Sequence, residues 1–178
     1  VCRRHTQRMG GHEVSAVLSA DRKYRYRLTR EFGHLGDVCC FIMLNPSTAD
    51  EVKDDPTIRR CVDFAGRFGC GTLEVVNLFA LRATDPKELY VAGHDAIGPE
   101  NDHHIIEACK DALVVVCAWG NHGSYLKRDK EVLALLHAQN VSACALKINA
   151  KTSQPAHPLY LRADSQPMPM REWSIKNG

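Results

Sequence analysis

Val38-Cys39-Cys40-Phe41-Ile42-Met43-Leu44 is an unbroken apolar run of seven residues that stops on Asn45-Pro46-Ser47. A run this short and this uniformly apolar fits a strand buried on both faces, because a helix of the same length would not close two turns. Three further segments read the same way: Leu73 to Leu78, Leu113 to Ala118 and Ala143 to Ile148. Helical patterns lie between them. Asp54 or Asp55 caps a helix running through Gly66, with Pro56 and Thr57 in its first turn and Ile58, Cys61, Val62 and Ala65 as its apolar stripe. Asn101 to Ala112 places Ile105, Ile106 and Cys109 on one face together with Leu113, and Tyr125 to Gln139 turns Val132, Leu133 and Leu136 inward. Before the first core strand, Val14 to Leu18 and Lys23 to Thr29 flank Ala20-Asp21 as an antiparallel hairpin, with Tyr24, Tyr26 and Leu28 sharing a face. Strands alternating with helices require right-handed crossovers. The expected fold is α/β: a three-layer α/β/α sandwich around a central, mostly parallel four-stranded sheet, with an N-terminal antiparallel hairpin. The 178 residues suit a single domain, with 1–13 and 164–178 as loose tails.

Hydrophobic residues at 44% and charged residues at 25% exclude a disordered or fibrous chain. No apolar run reaches the ~18 residues of a membrane helix. Val1 to Gly11 is basic and polar, so a secretory signal is not expected and the expected location is cytoplasmic. Eight cysteines without a Cys-x-x-Cys pair, most of them inside apolar runs, read as reduced core thiols; no metal or cofactor is expected. Arg3, Arg4, Arg8, Arg22, Lys23, Arg25, Arg27 and Arg30 face only Glu13 and Asp21 over the first 30 residues. That imbalance fits a phosphate-contacting surface or the solvated face of the hairpin equally well.

In an open parallel sheet, ligands lie beyond the carboxyl ends of the strands. Four loops therefore matter: Asn45 to Asp50, Asn77 to Pro86, Trp119 to Gly123 and Lys151 to Leu161. Asn45 can hold a water or a polar substrate edge, or form an Asx turn with Pro46. Asn77 ends an apolar strand and must be satisfied by backbone or by a ligand. His157 can donate to an oxygen that becomes negative, or sit as an ordinary surface histidine. Asp50, Asp54 and Asp55 are carboxylates that fit general-base work or helix capping. Trp119 fits stacking on a base or packing, and Arg59 and Arg60 fit phosphate contacts or plain solvation of a helix face.

These pieces resemble a known family. From Ser15 to Leu161 the chain resembles the family called domain of unknown function 1643, through Tyr24-Arg25-Tyr26, Met43 to Asp50, Asp54 to Cys61, Asn77 to Arg82, Ile97-Gly98, Asn101-Asp102, Ala118 to Gly120 and His157-Pro158-Leu159. At greater distance the same segments resemble the uracil-DNA glycosylase superfamily, which cleaves bases from deoxyribose on a four-stranded parallel α/β sandwich. Leu44-Asn45-Pro46-Ser47 is similar to that superfamily's water-positioning motif, Val75 to Arg82 to the strand whose Asn reads a flipped pyrimidine, and His157-Pro158-Leu159 to the His-Pro-Ser motif. The chain departs from the pattern in three places. No Gly precedes the first motif, Ser47 replaces a Gly, and Leu159 replaces a Ser. No aromatic residue stands near the first motif to exclude thymine, and the cysteine spacing of the iron–sulfur branches is absent.

The resemblance implies a monofunctional DNA glycosylase-like hydrolase acting on the N-glycosidic bond of an extruded, damaged or modified pyrimidine. It implies Asn45 and His157 as catalytic residues, with Asp50 as the helping carboxylate. Asn77, Leu44, Pro46, Ser47 and Trp119 would contact the base, while Arg59, Arg60, Arg82, Pro158, Tyr160 and Leu161 would contact DNA, the last two as an intercalating wedge. The expected partner is DNA, with no membrane, no cofactor and a monomeric chain, in a prokaryotic setting of repair or phage defence. The alternatives are a modified-base or nucleic-acid binding module without turnover, and a hydrolase of free nucleotides or nucleosides.

Overall fold

The computed structural model describes residues 2–9, 12–33, 36–47, 53–85 and 87–170. Among them, eight strands form one mixed sheet and four α-helices pack on it. The strands are β1 (Arg3–Met9), β2 (His12–Leu18), β3 (Arg25–Glu31), β4 (Val38–Met43), β5 (Thr72–Asn77), β6 (Val114–Cys117), β7 (Cys144–Ala145) and β8 (Met168–Pro169), and the helices are α1 (Pro56–Arg67), α2 (Lys87–Ala92), α3 (Asn101–Lys110) and α4 (Arg128–Ala138). Their order across the sheet is β1-β2-β3-β5-β4-β6-β7-β8. The pairs β5–β4, β4–β6 and β6–β7 are parallel; the rest are antiparallel.

The parallel strands sit where the apolar runs placed them, but the sheet is twice as wide as expected. The hairpin is not a separate appendage: β3 pairs with β5 and carries β2 and β1 outward as a continuation of the same sheet. Arg3–Met9, expected within a tail, is β1, and the short β8 falls within the other expected tail. The fourth core strand shrinks to Cys144–Ala145, with an isolated bridge from Ile148 to Pro155. The third helix divides, because Tyr125 is extended and Leu126 left-handed, so only Arg128–Ala138 is α-helical.

Side-chain alternation places the two larger clusters of the core on opposite faces of the sheet. Phe41, Met43, Leu73 and Val75 meet Ile58, Cys61, Phe64 and Ala65 of α1. Cys40, Ile42, Val76 and Cys117 meet Ile105 and Cys109 of α3 and Val132 and Leu136 of α4. Leu113, expected on the α3 face, is exposed. All eight cysteines are free thiols, six of them buried, in agreement with the reading as core hydrophobes.

One irregularity matters for the site. Val17 pairs with Arg27 but Leu18 pairs with Arg25, so β3 carries an extra residue, Tyr26, opposite β2. A bulge of this kind re-aims side chains. Leu28 stays on the α1 face, whereas Tyr26 turns to the opposite face and stacks on His104 of α3 at 4.9 Å. The expected shared face of Tyr24, Tyr26 and Leu28 is therefore broken, and Arg25 is directed toward the side that carries Leu18 and α1.

Candidate active site

The carboxyl ends of the parallel strands are clasped together by backbone hydrogen bonds. Leu78 N–H donates to Met43 O at 2.9 Å, Phe79 N–H to Leu44 O at 2.9 Å and Ala83 N–H to Pro46 O at 2.9 Å, which fixes the first loop against the second. The third and fourth loops are joined by Gly120 N–H to Pro155 O at 2.9 Å and by the Asn149 side chain to Asn121 at 2.8 Å. Arg60 Nη2 donates to Leu161 O at 2.6 Å and ties α1 to the fourth loop. Between these loops and the start of α1 lies a cavity of about 730 Å³, whose lining includes Asn45, Ser47, Asn77, Trp119 and His157.

Asn45 is half-buried, and its Nδ2 donates to Pro46 O at 3.0 Å and Ala83 O at 2.7 Å. Both amide protons are taken by backbone, so what remains for the cavity is Oδ1, an acceptor. Asn45 is thus held through its amide protons, and the expected Asx turn, which would use Oδ1 as acceptor, is not formed among the described residues. Asn77 is 1% exposed, and among the described residues neither its Oδ1 nor its Nδ2 has a hydrogen-bond partner. Leaving such a group unsatisfied costs about 1–3 kcal/mol. Its neighbour Asn101, 0% exposed, donates through Nδ2 to Asn77 O and Leu78 O at 2.9 and 3.0 Å, holding the backbone of the strand end while the Asn77 side chain faces the cavity.

His157 lies at the entry to a 3-10 turn over Pro158–Tyr160, and Leu159 N–H approaches its Nδ1 at 3.4 Å. With Nδ1 accepting, the ring proton belongs on Nε2. Burial lowers the His157 pKa below the ordinary value, with the Asp55 carboxylate pulling weakly the other way, so the imidazole is neutral at pH 7. Asp55 caps α1, accepting from Ile58 N–H at 2.9 Å, and also lines the cavity. Asp54 is instead paired with Arg30 at 2.7 Å. Asp50 lies outside the described residues.

The remaining expected contacts divide. Leu44 lines the cavity, Pro46 is buried beside it and Ser47 is exposed at its edge. Trp119 lines the cavity but is 1% exposed, with Nε1 donating to Gln154 Oε1 at 2.7 Å and Gln154 Nε2 in turn to Asp129 at 2.9 Å, an arrangement that locks the indole in place. Tyr160 is 85% exposed on the rim. Leu161 is no wedge: the 3-10 turn folds it back into the α1-side core. Leu159, beside Tyr160, is the exposed apolar residue there. Pro158 is buried. Arg60 is anchored on Leu161 O and over the Phe64 ring, so it does not solvate an open face, while Arg59 is exposed and reaches Asp54 O. Arg82 is half-buried, with Nη1 near Arg22 O at 3.5 Å.

Four of the eight basic residues of the N-terminal segment form ion pairs: Arg4 with Glu13 on the neighbouring strand, and Lys23 with Asp95, Arg27 with Glu74 and Arg30 with Asp54 farther along the chain. Arg25 is the residue that sequence reasoning missed: 3% exposed, it lines the cavity with Asn77. A charged residue between Tyr24 and Tyr26 was the available signal, but a strict period of two assigns it to the wrong face.

No helix among the described residues is long and apolar enough to cross a membrane. No curated protein matches the chain. The family model described as protein of unknown function DUF1643 matches residues 25–159, from the strand that carries Arg25 to the loop that carries His157, and the chain belongs to that family.

Proposed function

We propose that the chain is a monofunctional DNA glycosylase-like hydrolase that opens the N-glycosidic bond of an extruded modified pyrimidine. The observation that carries this reading is Asn77: a fully buried amide with donor and acceptor both unmatched among the described residues, facing a cavity that also holds Asn45 and His157. A pyrimidine edge offers adjacent donor and acceptor atoms, which are what that amide lacks. The four parallel strands inside the sheet and the site at their carboxyl ends support the sandwich of the uracil-DNA glycosylase superfamily as the underlying arrangement.

The chemistry divides among three positions. Asn45 Oδ1 accepts a hydrogen bond from a water and aims its lone pair at C1′. The C1′–N bond breaks with the electron pair leaving on the base, and the neutral imidazole of His157 donates from Nε2 to the base oxygen on which that charge collects. An amide cannot take the proton that the water loses, so a carboxylate or bulk solvent does; Asp55, which lines the cavity, is the carboxylate we assign to this. Tyr160 and Leu159 on the rim supply the apolar surface that fills the gap left by an extruded base.

The test is base release from oligonucleotides carrying uracil, 5-hydroxymethyluracil, hypoxanthine and bulkier modified pyrimidines, with Asn45→Ala and His157→Ala beside the wild type. Release of one base, lost in both variants, is expected. Tight, salt-sensitive DNA binding with no release from any substrate would overturn the hydrolase and leave a base-reading module in its place.

A further inference from the structure

Away from the cavity, three side chains with metal-ligating atoms converge from distant parts of the chain. Cys2 Sγ, a Glu100 carboxylate oxygen and a His104 ring nitrogen all lie within 4.8 Å of one another. The backbone builds this convergence. Gly98 adopts φ +86°, and a Cβ there would come within 3.2 Å of both the Tyr24 and Tyr26 rings and 3.0 Å of Ala80 Cβ. The turn that begins α3 therefore packs flush on the two tyrosines, which brings Glu100 and, one helical turn later, His104 over them. Cys2, just before β1, packs against the same tyrosine cluster.

His104 is oriented without being satisfied. Its ring stacks on Tyr26, and its Nε2 is buried with no hydrogen-bond partner among the described residues. The nearest carboxylate oxygen, Glu100 Oε2, stands 4.0 Å away, beyond hydrogen-bond reach. A buried imidazole nitrogen aimed at a thiol and a carboxylate, yet bonded to neither, has the geometry of a ligand lacking its ion.

We propose that Cys2, Glu100 and His104 bind a borderline-soft divalent cation of the zinc type. Thiolate, imidazole and carboxylate are the donors that Zn²⁺ takes, and the two anionic groups balance its charge. Three protein ligands leave a fourth position to water. A thiol ligates such an ion only as the thiolate, so binding breaks the Cys2 S–H bond and releases one proton to solvent per ion taken up. Affinity accordingly rises with pH. Arg27 and His103 disfavour a charge on His104, Glu100 and Glu107 favour it, and Tyr26 is stacked on its ring. A bound ion would pin the entry to β1 onto the start of α3.

The probe is Co²⁺, added to the full tag-free chain after chelation and followed by absorption. The expected result is one Co²⁺ per chain, with a thiolate-to-cobalt charge-transfer band that Zn²⁺ abolishes and a release of one proton. Cys2→Ser removes the band while Cys144→Ser keeps it. Glu100→Gln and His104→Ala weaken binding by at least about 100-fold, since losing even an outer-shell partner costs about 10- to 100-fold. Absence of the band in the folded wild type, or a band of equal strength in Cys2→Ser, would overturn the site. Counting Zn²⁺ per chain by native mass spectrometry decides the same question where a variant folds poorly: one ion in the wild type and in Cys144→Ser sustains the proposal, none overturns it.

Discussion

Two cavities of comparable size lie at opposite ends of the parallel strands, and they differ in kind. The cavity at the carboxyl ends, about 730 Å³, collects Arg25, Asn45, Asp55, Asn77 and His157. The cleft at the amino ends of β6 and β7, about 560 Å³, is walled mainly by Leu113, Val115, Leu133, Leu136 and Met170, with His137 and Ser142 as its polar members. The same sheet borders both, with α1 beside the first and α4 beside the second. Volume alone does not mark a reactive site; convergent polar groups do, and here these sit at the strand ends where chain segments diverge and backbone leaves the ladder.

If the second cleft is structural, truncating its wall alters stability and leaves chemistry alone. Leu136→Ala should cost about 2–5 kcal/mol of unfolding free energy, with base release per folded molecule unchanged; a loss of release in folded protein would break the contrast. In the polar cavity the reverse holds. His157→Ala and Asn45→Ala should each lower single-turnover base release by about 100- to 1000-fold, with the thermal midpoint little changed.

Asn77 sharpens the comparison further. Asn77→Leu replaces an unsatisfied buried amide with an apolar group of similar volume, so stability should rise by about 1 kcal/mol while base recognition is lost. Asn101→Leu, one element away, should destabilise instead, because Asn77 O and Leu78 O lose their donor. Denaturant titration of the pair checks both signs. Asp55→Ala should cost about 1 kcal/mol through the lost cap, with a fall in base release beyond that if Asp55 also takes the proton.

The smallest effect is in pH. His157 is held below its unfolded value by burial, so between that value and its folded one the unfolded chain binds the additional proton. Its contribution to stability is present above about pH 6.5 and is lost as pH falls through the lowered folded value. Thermal midpoints from pH 7.5 downward should fall less steeply in His157→Gln than in the wild type.

The strands were legible because uninterrupted apolar runs bounded by Asn-Pro, Gly and Pro leave few other structures; Asn45 and Asn77 were legible as polar residues at the ends of such runs, and His157 as a histidine in the loop after the last of them. Arg25 and Leu161 were not. One extra residue in β3 reverses which way Arg25 points, and a single 3-10 turn folds Leu161 into the core beside a solvent-facing Tyr160. Neither event leaves a periodic trace, since each is a local break in period. β1 was missed for a related reason: an edge strand buries little, and Arg3 to Met9 carries no apolar alternation to announce it.

The sequence by itself determined the element types, the parallel core and the three polar residues at its carboxyl edge, because hydrophobic period and turn chemistry are local properties of the chain. Only the tertiary structure decided that these residues face one cavity, that Asn45 offers an acceptor while Asn77 offers both halves of its amide, and that Lys23, Arg27 and Arg30 of the basic N-terminal segment pair with carboxylates beyond it. Those outcomes depend on pairings between residues as far apart as Arg30 and Asp54, or Arg60 and Leu161. Hydrogen bonding and desolvation act through space, and no local pattern encodes which partner folding will bring.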